Sequence, residues 1–298
     1  MKRDFLKIKD LKREEIFKIF ELTEYYKREK RGEILKNRII GLLFSKPSTR
    51  TRISFEVAVI QLGGHPIYIP AEKTQIGRGE TIKDTSMVLS RYLDGLVIRT
   101  YSHKEIEEYA RWSSIPIING LTDLYHPCQA LSDYFTILEK KGSLQNIKIT
   151  YIGDANNVCN SLILGADILG VEIRVVCPKD YSPSSEIIES MENRNLLKIS
   201  HNPGDFIEDA DVIYTDTWVS MGQEKEREKK ISIFKDFQVN KEMLKNAKKD
   251  FIFMHCMPAH RGEEVSDEIM DGENSVVFEQ AENRLHCQKA LLHFLFSV

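Results

Sequence analysis

Hydrophobic and polar positions along the chain form two alternating kinds of segment. One kind is a short, nearly continuous apolar run, which is typical of a buried parallel strand. Such runs lie at Ile39–Phe44, Pro66–Pro70, Gly95–Ile98, Ile115–Ile118, Ile147–Ile152, Val171–Cys177, Leu196–Ser200, Val212–Thr215, Phe251–Met254 and Ser275–Phe278. The other kind places apolar residues at helical spacing, as in Ile53–Leu62, Thr81–Leu93, Lys104–Trp112, Ala130–Lys140 and Asn283–Ser297. Strands that alternate with helices predict an α/β fold built from parallel βαβ units.

The chain is expected to divide near residues 138–146. There Glu139-Lys140-Lys141-Gly142-Ser143 closes a long helical pattern before a new strand begins. A length of 298 residues is enough for two domains of ordinary size. We therefore expect two doubly wound domains, each a mainly parallel sheet flanked by helices. Because such domains bind ligands beyond the carboxyl ends of their strands, the loops after the strands are the ones to examine.

Composition narrows the class of protein. The formal net charge is −3, which excludes a chain-wide basic surface for nucleic acid but leaves a local anion site open. Five widely spaced cysteines without a Cys-x-x-Cys pair predict reduced thiols and a cytoplasmic protein. The first fifteen residues carry charges throughout, and the longest uncharged stretch, Val57–Ala71, contains Gly63-Gly64 and two prolines. We expect neither a signal peptide nor a membrane span.

The loop after the first strand carries the first chemical signal. The segment from Phe44 to Arg52 places three hydroxyls and three cations within seven residues, just before a helix, with Ser48 as a candidate N-cap. Free N–H groups at a helix start and arginine side chains both suit a phosphate. The alternative is an ordinary capped helix with solvated charges. A nucleotide P-loop is excluded, because Gly-x-x-x-x-Gly-Lys is absent.

Two motifs in the first half carry a family resemblance. Ser48-Thr49-Arg50-Thr51-Arg52, followed by Ser54-Phe55-Glu56, resembles the carbamoyl-phosphate signature of the aspartate/ornithine carbamoyltransferases. His126-Pro127-Cys128-Gln129, with Asp133 later on the same helix, resembles the His-Pro-x-Gln motif of that family. The resemblance runs from about residue 4 to the C-terminus in the expected order.

Three segments of the second half resemble the ornithine-using members of the family. They are Gly153–Asn157, Asp216–Gly222 with its Ser-Met-Gly element, and His255-Cys256-Met257-Pro258. Met257 stands where leucine is usual, a swap that conserves volume. Asp216 and Cys256 suit an acceptor with a cationic end, whereas an aspartate acceptor would need cationic side chains for its second carboxylate.

The resemblance implies a fold, a reaction and a division of labour. It implies a carbamoyl-phosphate-binding domain at residues 1–140, to which the C-terminal helix 283–298 returns, and an ornithine-binding domain at residues 141–282. The implied reaction is transfer of a carbamoyl group from carbamoyl phosphate to the side-chain amine of L-ornithine, giving L-citrulline and phosphate, without a cofactor or a covalent intermediate. It also implies a homotrimer or an assembly of trimers.

The resemblance also assigns residues to each role. The carbamoyl-phosphate ligands would be Ser48, Thr49, Arg50, Thr51, Gln75, Arg99, His126, Gln129 and Arg284, with Gln75 reaching across a subunit boundary. The ornithine ligands would be Asn157, Asp216, Ser220, Met221, Cys256 and Met257. Arg99, His126, Asp216 and Cys256 would be the catalytic residues.

Other interpretations stay open at this point. His255-Cys256 with His260 invites a zinc site, but the spacing matches no structural zinc pattern, so no metal is expected. A nicotinamide-dependent oxidoreductase is disfavoured, because the chain lacks the Gly-x-Gly-x-x-Gly motif of dinucleotide-binding folds. A transferase for a related amine such as putrescine, and a non-catalytic carbamoyl-phosphate-binding homologue, are the remaining alternatives. The charged run Lys225–Lys230 is a solvated face or part of a closing loop.

Overall fold

The computed structural model describes residues 2–74, 79–219 and 226–297. The chain forms two compact units. The first comprises Met1–Ser132 and Glu282–Val298, and the second comprises Asp133–Ala281. No helix within the described ranges is long and apolar enough to cross a membrane.

The first unit contains a four-stranded parallel sheet in the order β2-β1-β3-β4. Its elements in chain order are α1 (Arg13–Arg28), β1 (Ile39–Phe44), α2 (Thr49–Gln61), β2 (His65–Pro70), α3 (Ile82–Leu89), β3 (Gly95–Arg99), α4 (His103–Trp112), β4 (Ile117–Leu121) and α5 (Pro127–Lys141), whose last turns belong to the second unit. The strand order reverses between β1 and β3, so the ligand crevice of this unit is expected at their carboxyl ends.

The second unit contains a five-stranded parallel sheet in the order β7-β6-β5-β8-β9. Its elements are β5 (Lys148–Ile152), α6 (Asn157–Leu169), β6 (Glu172–Val176), α7 (Ser185–Glu189), β7 (Leu197–Ser200), β8 (Val212–Thr215), α8 (Arg227–Phe234), β9 (Ile252–His255), α9 (Asp267–Met270) and α10 (Val277–Phe296), which continues into the first unit. Here the order reverses between β5 and β8.

The expected fold class, two mainly parallel sheets flanked by helices, is confirmed. The C-terminal helical turns belong to the first unit, where Phe296 packs over Gly95. A Cβ at Gly95 would lie 2.6 Å from the Phe296 ring, so this strand position must lack a side chain. The units divide inside α5 and α10, at Ser132/Asp133 and Ala281/Glu282.

The predicted strand at Ser275–Phe278 is wrong. Only Ser275 makes a bridge, to Phe253, and α10 already begins at Val277. Phe278 is 66% exposed in the first turn of this helix, so the apolar run is not a buried strand. The C-terminal helix therefore starts at Val277, six residues before the predicted Asn283.

Candidate active site

The loop after β1 leads directly into α2, and Ser48 caps that helix. The Ser48 hydroxyl accepts a hydrogen bond from the Thr51 N–H at 3.2 Å, as its position in the sequence predicts. Thr49 and Arg50 lie exposed in the first helical turn, where backbone N–H groups are unbonded within the helix. This helix start follows the carboxyl end of a strand that borders the reversal of strand order, a geometry that suits an anion.

Two buried arginines converge on the same helical turn. Arg284 donates to the Thr51 hydroxyl at 2.9 Å, and Arg99 at the end of β3 donates to it at 3.4 Å. Both guanidinium side chains are at most 5% exposed. Because two cations at low exposure repel each other, an anion between them would relieve the repulsion and gain bidentate hydrogen bonds.

His126 and Gln129 lie at the start of α5 and are also buried. Burial lowers the pKa of His126 well below its ordinary value, and the charges of Arg284 and Arg99 lower it further. The imidazole is therefore neutral at physiological pH, with one N–H to donate. A neutral donor next to two cations suits a developing negative charge on a carbonyl oxygen.

In the second unit, the ends of β8 and β9 bring Asp216 and Cys256 together. The Cys256 thiol donates to Asp216 Oδ1 at 2.8 Å. The Asp216 side chain is 3% exposed, and Trp218, two residues further on, stacks against Phe234 of α8 with ring centroids 5.6 Å apart. The buried indole thus anchors the loop that presents Asp216.

The segment around Cys256 is held by the neighbouring histidine. The His255 backbone N–H donates to Gln280 at 2.9 Å, and the ring lies 3.2 Å from Glu264. His255 Nδ1 accepts the Met257 N–H at 2.9 Å, so the other ring nitrogen carries the proton toward Glu264. These contacts hold Met257 at a φ of 59°, a left-handed conformation that is unusual for a residue other than glycine.

Sequence reasoning did not single out Gln280 and Glu264. Both are buried polar residues, and their positions far along the chain from Asp216 gave no local signal. Lys46, one of the three cations of the loop after β1, is buried and lies 4.2 Å from the centre of the Tyr101 ring. Arg52 bonds Glu56 at 2.8 Å, the structural pair that their four-residue spacing predicts.

Of the remaining predicted ligands, the structure describes Asn157. Asn157 is half-buried at the first position of α6, beyond the end of β5. Gln75, Ser220 and Met221 lie outside the described residues.

Two groups of side chains in the described ranges have ligand atoms close enough to share a metal ion. They are Asp216, His255 and Cys256, and His260, Glu263 and Glu264. In the first group both His255 ring nitrogens already have partners, Met257 N–H and Glu264, so metal binding would break one of these contacts. The expectation that the protein has no resident metal stays a prediction.

Fold and side chains together define a class: a two-unit α/β protein with two buried arginines at a helix start in one unit and a thiol–carboxylate pair in the other. Two family models match the chain. The aspartate/ornithine carbamoyltransferase carbamoyl-P binding domain matches residues 3–139, and the Asp/Orn binding domain of the same family matches residues 145–295. The chain belongs to the aspartate/ornithine carbamoyltransferase family.

Individual relatives resemble the chain over nearly its full length. An ornithine carbamoyltransferase of Thermococcus kodakarensis is 51% identical over 299 residues, 97% of this chain and 95% of the relative. The structure of the ornithine carbamoyltransferase from Pyrococcus furiosus has a TM-score of 0.93 at 48% identity, covering 97% of this chain and 96% of that one. A structure of an N-acetyl-L-ornithine transcarbamylase has a TM-score of 0.88 at 27% identity, covering 98% and 99%.

Proposed function

We propose that this chain transfers the carbamoyl group of carbamoyl phosphate to the side-chain amine of L-ornithine. The observation that carries the proposal is the Asp216–Cys256 pair at the carboxyl end of the second sheet. A buried carboxylate bonded to a thiol suits a substrate amine that arrives charged and reacts neutral. The relatives named ornithine carbamoyltransferase, at about half of all positions identical, support the same acceptor.

Carbamoyl phosphate would bind in the first unit. Its phosphate would lie on the N-terminus of α2, held by Ser48, Thr49, Arg50 and Thr51. Arg99 and Arg284 would neutralise the phosphate and the carbonyl oxygen, since both already point at Thr51. His126 would donate its N–H to the carbonyl oxygen, and Gln129 would hold the carbamoyl amide. We include Gln75 as a further ligand from a neighbouring subunit.

The chemical step needs a neutral amine. With a lysine-like pKa near 10.4, removing the proton at pH 7 costs about 4–5 kcal/mol. The amine nitrogen then forms a bond to the carbonyl carbon, the bond from that carbon to the phosphate oxygen breaks, and the nitrogen loses a proton. Asp216 and Cys256 would hold the amine and take up its protons, while positioning and electrostatics supply the rate effect.

The other end of ornithine would be held by residues around the same strand ends. Asn157 and Ser220 are assigned to its α-carboxylate and α-amine, with the Met221 backbone as a further contact. Met257 would border the substrate's aliphatic stem, because its loop position follows Cys256 directly.

Assembly and location complete the proposal. We propose a homotrimer, which the exposed apolar side chains Ile53, Ile60 and Ile67 of the first unit support as a surface to be covered. We propose a cytoplasmic location, which the five cysteines support, since none of them is in a disulfide. Sedimentation equilibrium tests the proposed homotrimer, with a monomer as the contradicting result.

The direct test is steady-state formation of citrulline by the purified protein, with putrescine, N-acetylornithine and aspartate as competing acceptors. Ornithine should be used with by far the highest kcat/KM. Faster use of putrescine or N-acetylornithine would overturn the acceptor assignment. Calorimetric binding of carbamoyl phosphate without turnover of any amine would instead support a non-catalytic homologue.

A further inference from the structure

Asn156 connects a helix start to the Asp216 carboxylate. It is the N-cap of α6, and its side-chain oxygen accepts hydrogen bonds from the N–H groups of Val158 and Cys159, at 2.9 and 3.2 Å. Its amide nitrogen donates to Asp216 Oδ2 at 2.7 Å. The other carboxylate oxygen, Oδ1, accepts the Cys256 thiol.

The capping bonds determine which way the Asn156 amide faces. An asparagine oxygen and nitrogen exchange places when the amide rotates by half a turn. Here the oxygen must face the helix N–H groups, because only an acceptor can bond them. The nitrogen is consequently directed at Asp216, and the start of α6 fixes the donor in one orientation.

We infer that Asn156 is a positioning residue for the acceptor chemistry, in that its amide nitrogen fixes the Asp216 carboxylate so that Oδ1 faces Cys256. The inference rests on the proposed function for its kinetic consequence. The sequence resemblance includes Asn156 in the segment Gly153–Asn157 but gives it no role of its own, since the predicted ornithine ligand is its neighbour Asn157. Asp216 has two oxygens and two fixed partners, which leaves it a single orientation.

Several titratable groups surround this carboxylate and bear on any pH measurement. Asp154 lies in the same loop as Asn156 and bonds Lys230 of α8 at 2.6 Å. Cys256 follows β9, while Tyr151 of β5 and Tyr214 of β8 both have their pKa raised by burial and by the Asp216 charge. The tyrosines stay neutral over the useful range, and the substrate amine contributes equally in the wild type and in a variant, so a shift of the acid limb between the two reports the changed surroundings of the carboxylate.

Two substitutions separate the capping role from the positioning role. Asn156→Ser and Asn156→Asp both keep a good N-cap, so neither should destabilise α6. Both remove the amide N–H group that reaches Asp216, and the serine hydroxyl lies on a shorter side chain. We therefore expect kcat/KM for ornithine to fall about tenfold to hundredfold, the value of one hydrogen bond to a charged group. Asn156→Asp should also move the acid limb of that profile to higher pH, because two adjacent carboxylates hold a shared proton more tightly. KM for carbamoyl phosphate should stay at the wild-type value.

The control is Ser184→Asp, which adds the same charge at the exposed N-cap of α7 in the same unit. Its kinetics and pH profile should match the wild type. If Asn156→Ser and Asn156→Asp also match the wild type, Asn156 is only a helix cap and the inference is overturned.

A crystal structure of Asn156→Ser shows directly, without an activity assay, whether Asn156 orients the Asp216 carboxylate. The inference predicts that the Asp216 carboxylate turns and that its 2.8 Å contact with the Cys256 sulfur is lost. An unchanged Asp216 orientation would overturn the positioning role. Absence of citrulline formation by the wild-type protein would refute the proposed function alone, and the crystal structure would still decide the role of Asn156.

Discussion

Replacing Asp216 by asparagine removes one charge while it preserves the size and shape of the side chain. In the structure the carboxylate is 3% exposed and its two oxygens bond Cys256 and Asn156. A substrate ammonium would therefore meet a fixed, desolvated negative charge. Asp216→Asn offers it only an amide dipole.

The size of the effect follows from Coulomb's law for a carboxylate and an ammonium in contact. A carboxylate and an ammonium about 4 Å apart attract by about 4 kcal/mol at an effective dielectric constant near 20. Each 1.36 kcal/mol is about a factor of ten, so kcat/KM for ornithine should fall about a thousandfold. KM for carbamoyl phosphate should be unchanged, because its proposed ligands belong to the first unit.

The assay is initial-rate citrulline formation with each substrate varied in turn. Asp267→Asn is the matched control, since this carboxylate of the second unit pairs with Arg261 and its side chain is 73% exposed. An exposed pair contributes little, so the control should behave as the wild type. A loss of less than about tenfold in Asp216→Asn would refute the amine-binding role. A selective rise in KM for carbamoyl phosphate would refute the division of substrates between the two units.

Three further predictions concern the first unit. Thr51→Val should weaken carbamoyl phosphate binding at least about tenfold in calorimetry, because the hydroxyl that orients Arg284 is lost; unchanged affinity would contradict this. His126→Gln should lower kcat about a hundredfold without moving the acid limb of the pH profile, because burial already holds the pKa of His126 well below its ordinary value; a moved limb would contradict it. Burial lowers the pKa of Lys289 to about 8, whereas an unfolded lysine titrates near 10.4. Between these values the unfolded chain binds more protons, so in urea titrations the free energy of unfolding should rise with pH in the wild type and not in Lys289→Met; equal slopes would contradict this.

The alternation of apolar runs and helical patterns was enough to predict the fold class. Strand Val212–Thr215 is buried throughout, and Ile39–Phe44 is buried at every residue after Ile39, so their apolar runs are continuous and their ends sharp. Ser48 was likewise predictable as an N-cap, because capping depends on one residue and its next helical turn.

Predictions failed where tertiary context decides the local structure. Val276-Val277-Phe278 has the composition of a strand. The Val276 N–H does donate to the Phe253 carbonyl, but the chain enters a helix at the next residue. The predicted strand Ile115–Ile118 is shifted to Ile117–Leu121. The Pro116 carbonyl accepts the Leu96 N–H at 2.9 Å, and Ile117 is the first residue paired in the ladder with β3.

The candidate site was predictable to the extent that motifs are contiguous. The convergence of Arg99 and Arg284 on Thr51 joins residues far apart in the chain, and only the family resemblance linked them. The support of His255 by Gln280 and Glu264 left no signal, since a single buried glutamine or glutamate in a sequence is indistinguishable from a solvated one.

Transfer of an isotopic label tests the central claim most directly. The protein is incubated with ¹³C-labelled carbamoyl phosphate and with ornithine carrying ¹⁵N only in its side-chain amine, and the products are followed by NMR. The account predicts that the ¹³C signal moves to the ureido carbon of citrulline and shows one-bond coupling to ¹⁵N. Label that appears on the α-nitrogen, or only in the hydrolysis products of carbamoyl phosphate, would contradict the account.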